Sequence, residues 1–447
     1  MNKWVRITAI VGMVVVVLLV VPFFIPMQSY INQAEALASQ KLGVPVKIKS
    51  LHLAFLPTPR INADGIVVGK DNELSVETVS VVPAIFSLLS EVKVISQVRV
   101  IKPVVKKSAL DILAAYSSQN PSSAAPSPVS VRHIVLKGAK LEWPGLTLPE
   151  TDADITLGEA NKPQEAQIET TDGKIKLNLT TGGIQQQITL LADKWTVPVG
   201  LPLLIDKLQM DMTLNGSKLL INKINANLYQ GKVDGNAELD WAKGWQASGK
   251  INVANLDVSK PTSMVSKSTR VTGSLSGNGD FSAIAKEPAQ LSDRIGADFR
   301  FKVDHGVIYG LDLVKAASLF LKSGQKGGDT EFEELSGLLH VTGRQYELRD
   351  LKVVSGLIAA DGGVKILPTK QLDGVVNVEI KNSVSLAAIP LQISGTLDNP
   401  VVLPTKAAMA GAVAGTAVLG PGVGTSLGVK AGSAVDKIKG LFGGDKK

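Results

Sequence analysis

The sequence predicts a mostly β protein: a long antiparallel sheet with a few short helices and one N-terminal transmembrane helix. Three observations lead to this prediction. From residue 46 onwards, apolar and polar residues alternate with a period of two in one segment after another, as in half-buried strands. Turn signals made of Gly, Asn or Asp separate these segments at short intervals. Residues 7–34 contain no charged side chain, which is typical of a membrane-spanning segment.

The transmembrane helix is predicted within residues 1–27. Its apolar core at residues 7–25 has about the 20 residues that span a hydrocarbon layer of ~30 Å. Lys3 and Arg6 precede it, so the positive-inside rule places the N-terminus in the cytoplasm and the rest of the chain on the other side. A cleaved signal peptide is the alternative, because small residues flank Glu35 as they flank a cleavage site. The apolar run is longer than in most signal peptides, which favours a retained anchor.

Residues 28–116 are predicted to form a β-rich N-terminal domain. It begins with an amphipathic helix over 28–42, which Gly43 is expected to close. The alternating pattern that follows shifts from one face to the other near Ser50. A short helix is predicted over 83–90. Later strands of this domain are predicted at 61–69, 73–81 and 92–105.

The rest of the folded chain is predicted as one meander. A segment rich in Ser, Pro and Ala at 117–130 is the expected linker. Residues 131–406 then alternate as a long antiparallel sheet with one apolar face. Asn215 and Gly216 form a strong two-residue hairpin signal. One helix, at 310–324, interrupts the strands and is expected to cover an edge or end of the sheet.

The apolar side of this meander is the candidate binding surface. Few helical segments are available to cover it, so the sheet either folds onto itself as a closed sandwich or presents the face to another molecule. An exposed apolar surface of that extent would be a partner, membrane or lipid site. The sequence leaves both alternatives open. Alternation places the following residues on the apolar side: Leu208, Met210, Met212, Leu214, Val233, Ala237, Leu239, Phe299, Phe301, Val303, Val376, Val378 and Ile380.

Residues 407–447 form an Ala- and Gly-rich tail. A Gly-Pro-Gly sequence divides its charge-free run into halves that are each too short to span a membrane. A flexible tail and a segment that contacts a membrane or a partner are the two interpretations.

Composition and motifs argue against several other functions. The net charge of +7 is spread over 447 residues without a basic cluster interleaved with aromatics, so we expect no nucleic-acid binding. The chain has no Cys and therefore no disulfide or thiolate zinc site. The four His lie far apart in sequence, and no catalytic or cofactor-binding motif is present. We predict neither an enzyme nor a cofactor, although a convergence of His305 or His340 with carboxylates would favour catalysis.

Several stretches, in their order along the chain, resemble the AsmA family of bacterial envelope proteins. The C-terminal motif is the most specific of them, with Pro390, Gly395 and Pro400 in a Pro-x-x-x-x-Gly-x-x-x-x-Pro pattern. The expected membrane anchor adds to the resemblance, whereas the middle of the chain shares only the general pattern of the family and has no matching stretch. The matching stretches lie at 41–69, 98–105, 305–318, 332–366 and 389–404.

The resemblance implies a fold, a cellular location and a function. It implies a long curved antiparallel sheet folded into a groove with an apolar interior. It implies a single-pass inner-membrane protein with a cytoplasmic N-terminus and most of its residues in the periplasm. The ligand would be the acyl chains of phospholipid, carried between the inner and outer membranes. The alternative is a non-transporting scaffold that affects outer-membrane protein or envelope assembly together with an envelope protein partner.

Overall fold

The computed structural model describes residues 27–110, 112, 129–144, 148–183, 185–197, 201–318, 328–381, 388–419 and 429. These residues form 23 β-strands and four α-helices, so the prediction of a mostly β protein is confirmed. The chain divides into two compact units at Val199 and Gly200. We describe each unit separately.

The described residues of unit 1, residues 1–199, form the α-helix Gln28–Leu42, one helical turn at 107–110 and ten strands. Two short 3-10 turns, Ile85–Leu89 and Glu159–Asn161, lie between strands. The elements in chain order are α1 Gln28–Leu42, β1 Val46–Ala54, β2 Arg60–Val68, β3 Leu74–Pro83, β4 Lys93–Ile101, β5 Val104–Lys106, β6 Val129–Glu142, β7 Thr151–Leu157, β8 Pro163–Thr170, β9 Ile175–Gly182 and β10 Gln185–Thr196.

Helix α1 confirms the predicted helix at 28–42. Gly43 ends it in the left-handed conformation, with φ of 71°, and the Gly43 N–H donates to the Ser39 carbonyl over 2.9 Å. The helix packs against β1 in the antiparallel direction. The Val46 N–H donates to the Ser39 hydroxyl, and the Ile48 N–H donates to the Glu35 carboxylate over 2.7 Å. Residues earlier in α1 thus lie beside residues later in β1.

The predicted shift of face near Ser50 coincides with a polar ladder across three strands. Ser50, Asp64 and Thr78 are directly paired on β1, β2 and β3. The hydroxyls of Ser50 and Thr78 donate to the two oxygens of the Asp64 carboxylate over 3.1 and 2.8 Å. Apolar pairs lie on either side of the ladder, from Val46 with Val68 to Leu53 with Ile61. The change of face therefore occurs at the same level in all three strands.

The prediction of a purely antiparallel sheet is wrong at one junction. Strand β6 runs parallel to β4 and to β5, whereas the other strand pairs among the described residues of the unit are antiparallel. A parallel pair needs a long crossover connection. The 22 residues between β5 and β6 supply one, because they include the Ser-, Pro- and Ala-rich segment. The sheet is therefore mixed.

The predicted linker at 117–130 lies almost entirely outside the described residues and stays a prediction. The strands on its two sides, β4 and β6, are hydrogen-bonded neighbours within unit 1. The predicted short helix at 83–90 is the five-residue 3-10 turn Ile85–Leu89.

The described part of unit 2, residues 200–447, forms three α-helices and thirteen strands, and two short 3-10 turns, Pro288–Gln290 and Ser292–Arg294, lie between strands. Successive strands pair antiparallel, with β14 next to β16 and the two-residue β15 against β17. The elements are β11 Leu204–Asn215, β12 Lys218–Leu228, β13 Gly231–Asp240, β14 Trp245–Asp257, α2 Ser259–Val265, β15 Arg270–Val271, β16 Ser274–Ala285, β17 Ile295–Tyr309, α3 Leu313–Ser318, β18 Thr330–Thr342, β19 Gln345–Val354, β20 Ile358–Ile366, β21 Leu372–Ile380, β22 Ile389–Thr396, β23 Asn399–Pro404 and α4 Lys406–Leu419.

Local signals in unit 2 are confirmed. Asn215 pairs with Lys218 across the predicted hairpin, and Gly216 has the positive φ, 59°, that such a turn requires. Part of the predicted helix at 310–324 is observed as the six-residue α3, which packs against β21, β22 and β23, and residues 319–324 lie outside the described residues. Leu313 and Ala317 of its predicted apolar side are buried.

The two ends of the chain are described only in part. The predicted transmembrane helix at residues 1–27 lies outside the described residues apart from Met27. Within the part that the structure describes, no helix combines the length and apolar character needed to cross a membrane. Helix α4 overlaps the predicted tail, so its first residues are helical rather than flexible. Ala408 and Ala412 in that helix are buried.

Candidate functional site

The thirteen residues predicted for the binding surface share one face of the unit 2 sheet. Directly paired residues of antiparallel strands point to the same side of a sheet. Following the pairs from strand to strand therefore traces a face. One row starts at Met210 and crosses all twelve long strands of the unit. Its members are Met210, Ile224, Gly235, Ile251, Gly279, Phe299, Leu339, Leu348, Val364, Gly374, Ile393 and Val402.

The other predicted residues lie in shorter rows on the same face. Each of these rows contains only apolar residues and glycine. Leu208 aligns with Val233 and Phe301, Met212 with Ala237, and Leu214 with Leu239, while Val303 aligns with Val378, Val376 pairs with Leu391 and Ile380 with Ile358. We call this surface, with the Met210 row at its centre, the apolar face of unit 2.

Phenylalanine–glycine pairs shape the middle of the apolar face. Phe281 is paired with Gly249, Phe299 with Gly279, and Phe301 with Gly277 on one side and Gly337 on the other. The rings lie over the glycines. A Cβ added at Gly249 would lie 2.7 Å from the Phe281 ring, and one at Gly279 would lie 2.9 Å from the Phe299 ring. Alternation alone does not predict these pairs, although the Gly-rich sequence of β16 could have indicated them.

The opposite face is charged and solvated. Lys302 contacts Asp304 and Glu334 over 2.9 and 3.3 Å, and Lys218 contacts Glu238 over 2.7 Å. These side chains are each about half exposed, so the pairs add little stability. The sheet therefore has one side that is suited to water and one that is not.

The apolar face combines buried and half-buried residues over its first strands, where Leu208 and Met212 are buried, and it includes completely buried residues on its last ones. Met210, Leu239, Phe299 and Phe301 all keep part of their surface exposed. On β21 and β22, Val378 and Leu391 have no exposed surface at all. The face is therefore neither fully open nor closed along its whole length.

Helix α3 accounts for the buried part. It packs on β21, β22 and β23, and the charged face of these strands stays exposed, so the helix lies on the apolar side. The buried Thr330 hydroxyl accepts from the Leu313 N–H over 3.0 Å and donates to the Leu311 carbonyl over 2.6 Å. These two hydrogen bonds fix the start of α3 against the first residue of β18.

A second contact shows that the sheet of unit 2 is strongly curved. The buried Ser266 hydroxyl lies 3.0 Å from the Leu397 carbonyl and 2.9 Å from the Asp398 carboxylate, in the turn between β22 and β23. In a flat sheet, β14 and β22 would be seven strand spacings apart, or about 34 Å. The mostly helical segment from Asp257 to Ser266 reaches less than about 20 Å. The strands between them must therefore bend and twist, and register shifts near Leu256 and Leu351 supply bulges that do so.

The C-terminal motif of the sequence forms the hairpin that receives this contact. Gly395 and Pro400 are directly paired across β22 and β23. Gly395 has a φ of 81°, and a Cβ there would lie 2.4 Å from the Asn399 carbonyl oxygen, so only glycine fits. The carbonyl of the buried Pro390 accepts from the Thr405 N–H over 2.9 Å.

Unit 1 also has a continuous apolar row, which the sequence-based site did not include. It crosses nine strands, including the parallel junction. Its members are Leu51, Ala63, Val79, Val100, Leu136, Ala153, Ile168, Leu177 and Leu190. The same alternation that identified the unit 2 residues could have indicated them.

The one His–carboxylate contact foreseen as a sign of catalysis does occur, on the charged face. The His340 Nδ1 lies 2.7 Å from the Asp298 carboxylate, and its Nε2 lies 3.3 Å from the Thr342 hydroxyl. Asp298 and His340 are direct cross-strand neighbours on an exposed surface. This is the ordinary geometry of a surface ion pair. Among the described residues, no three His, Asp or Glu side chains form a cluster that could hold a metal ion.

One comparison with known proteins gives a match. The model of the AsmA family matches residues 138–343, a little under half of the chain. Over this stretch the chain is similar to the AsmA family. The match contains the resembling stretch at 305–318, whereas the C-terminal motif lies outside it. No curated protein and no solved structure matches the chain. Similarity to the AsmA family suggests an envelope-related role in lipid transport or assembly, and the family is not known as one of enzymes.

Proposed function

We propose that this protein binds phospholipid by its acyl chains on the apolar face of unit 2 and carries it between the inner and outer membranes. The observation that supports this best is the Met210 row, which crosses twelve strands without a polar or charged side chain. An acyl chain needs such a continuous apolar track. At ~0.8 kcal/mol per buried CH₂, a lipid with two chains would rarely leave it for water.

Transport along the face would proceed by sliding. Each step of the lipid exchanges one apolar contact for another of the same kind, so no step requires an acyl chain to enter water. The half-exposed part, from β11 to β18, is where we place the lipid. Five residues of the predicted set are buried, so they would form the floor or the end of the track rather than contact lipid: Leu208, Met212, Val303, Val376 and Val378.

The proposed place is the inner membrane, with most of the chain in the periplasm. The charge-free residues 7–25 and the preceding Lys3 and Arg6 support this orientation. Eleven spacings between the twelve long strands of unit 2 give a contour of about 53 Å. A partner, an oligomer or a shuttling step would complete the path across the envelope.

Native mass spectrometry of the full chain tests the proposal. Met210→Asp places a charge in the track, and Gln209→Asp places the same charge on the opposite face of the same strand. We expect co-purified phospholipid with the natural chain and with Gln209→Asp, and a loss of most of it with Met210→Asp. Phe301→Asp should behave like Met210→Asp. If charged variants that fold retain their lipid and complement a deletion strain, the face does not carry lipid.

The fully buried part of the face favours a second function for this chain, a scaffold that does not transport lipid. Ile358, Val378 and Leu391 have the burial of a protein core, as a closed sheet would require. A scaffold would instead bind its partner through its rim or tail. Removing residues 420–447 leaves the described α4 intact and separates the two functions. Loss of an envelope partner with unchanged lipid content would favour the scaffold.

A further inference from the structure

Large apolar side chains are exposed to solvent at one end of the strands of unit 1. Strands β1 and β3 both finish at this end, because each is antiparallel to β2 between them. The loops that follow these strands carry Leu56, Phe86 and Leu89, whose exposed fractions are 71%, 94% and 95%. Several large apolar side chains exposed at the same end of neighbouring strands are suited to a binding role. We call these three residues the apolar tip.

The loop that carries Phe86 and Leu89 is well ordered by its own hydrogen bonds. The Ser87 hydroxyl donates to the Ala84 carbonyl over 2.7 Å and accepts from the Val94 N–H over 2.9 Å. The Ala84 N–H donates to the Val94 carbonyl, also over 2.9 Å. These polar groups are thus used within the loop, and the Phe86 and Leu89 side chains are exposed to solvent.

Helix α1 begins at the same end of the strands. Its contacts with β1 run in the antiparallel direction, from Ser39 near Val46 to Glu35 near Ile48. The first residues of α1 therefore lie toward the end of β1, where Leu56 follows. Tyr30, in the first turn of α1, is also half exposed, and tyrosine is a residue that favours membrane interfaces.

The chain before α1 indicates what covers the apolar tip. It contains the charge-free residues 7–25, whose composition suits hydrocarbon. The apolar tip thus lies at the end of the strands where the chain would leave a membrane. Its side chains are apolar, like most of those in residues 7–25. We propose that Leu56, Phe86 and Leu89 insert into the interface of the bilayer that holds residues 7–25, as a membrane contact separate from the lipid-binding face of unit 2.

Site-specific fluorescence tests this contact. The natural chain has no Cys, so Phe86→Cys or Leu89→Cys gives a unique site for an environment-sensitive label. The full chain would be reconstituted into vesicles of phosphatidylethanolamine and phosphatidylglycerol, with or without doxyl-labelled lipid. Leu357→Cys, at a turn of unit 2 with an exposed fraction of 65%, is the matched control. We expect a blue-shifted emission and at least twofold stronger quenching by doxyl lipid at positions 86 and 89 than at 357.

Several outcomes would overturn the proposal. Labels at 86 and 89 that stay as water-exposed as the label at 357 would do so, as would a full chain that does not remain with the vesicles. Labels that become buried only in native membranes, and not in pure lipid, would indicate a protein partner instead.

The test remains separate from that of lipid transport, although the tip rests on the proposed membrane location. Combining the labels with Met210→Asp distinguishes the two. Quenching at positions 86 and 89 that persists after co-purified lipid is lost would support the tip as an independent contact. If the quenching at positions 86 and 89 is lost together with the co-purified lipid, the labels report lipid bound to unit 2. This result would overturn the proposed membrane contact of the apolar tip.

Discussion

The apolar face of unit 2 has two regions that share residue types but differ in burial. On β21 and β22, Val378 and Leu391 are completely buried, whereas on β11 and β17 Met210 and Phe299 are partly exposed. Helix α3 packs on the first region, and no described helix packs on the strands from β11 to β13. The alternation of apolar and polar residues therefore produces an apolar face. Whether this face becomes a core or a surface depends on the element that packs on it.

Unit 1 extends the comparison. Its described strands carry an apolar row that is as continuous as that of unit 2, yet none of its described large side chains is completely buried. Among its described elements, helix α1 packs mainly on β1. The complete burial of Val378 and Leu391 thus coincides with the packing of α3 on β21 and β22.

The largest effect should come from a charge in the covered region. Val378→Asp would bury a carboxylate beneath α3 without a partner, and we expect a loss of stability on the order of 4 kcal/mol. Val375→Asp lies on the same strand, on its opposite, exposed face, and should change stability by less than about 0.5 kcal/mol. Urea denaturation followed by the fluorescence of Trp241 and Trp245 measures both. Equal losses would mean that α3 does not make this region a core.

A smaller effect is expected where α2 meets the last hairpin. Ser266→Ala removes the hydroxyl that contacts the Leu397 carbonyl and the Asp398 carboxylate, and should cost about 1 kcal/mol. Ser263→Ala is the control, because the Ser263 hydroxyl bonds only within α2, to the Lys260 carbonyl. The same denaturation experiment compares the two variants. A neutral Ser266→Ala would mean that this contact does not hold the curvature of the sheet.

The smallest effect should be a dependence on pH from the charged face. The hydrogen bond from Arg349 and the charge of Lys365 lower the pKa of Glu347 from its ordinary value of 4.5. A carboxyl with a lowered pKa in the folded state contributes stability above pH 4.5, and this contribution is lost as the pH falls through the lower folded-state value. Glu347→Gln should therefore narrow the difference in stability between pH 7 and pH 3. The exposed Glu379→Gln on β21 serves as control, and an identical pH dependence in both variants would contradict the role of Glu347.

Several parts of the fold could be predicted because their causes are local. The helix at 28–42 follows from its composition and from Gly43, and the hairpin at Asn215 and Gly216 from the φ values that its turn requires. The parallel pairing of β4 with β6 could not be predicted in this way. It depends on a crossover that the sequence shows only as a loop-like segment.

The sequence by itself determined which side of each strand is apolar, because successive side chains of a strand alternate between the two faces whatever lies around it. This is why all thirteen predicted residues lie on one face. Only the tertiary structure decided how that face is used: α3 covers part of it, and Ser266 meets a hairpin 131 residues further along the chain. Such contacts arise from the curvature of the whole sheet, and a period of two carries no information about curvature or about what packs on a face.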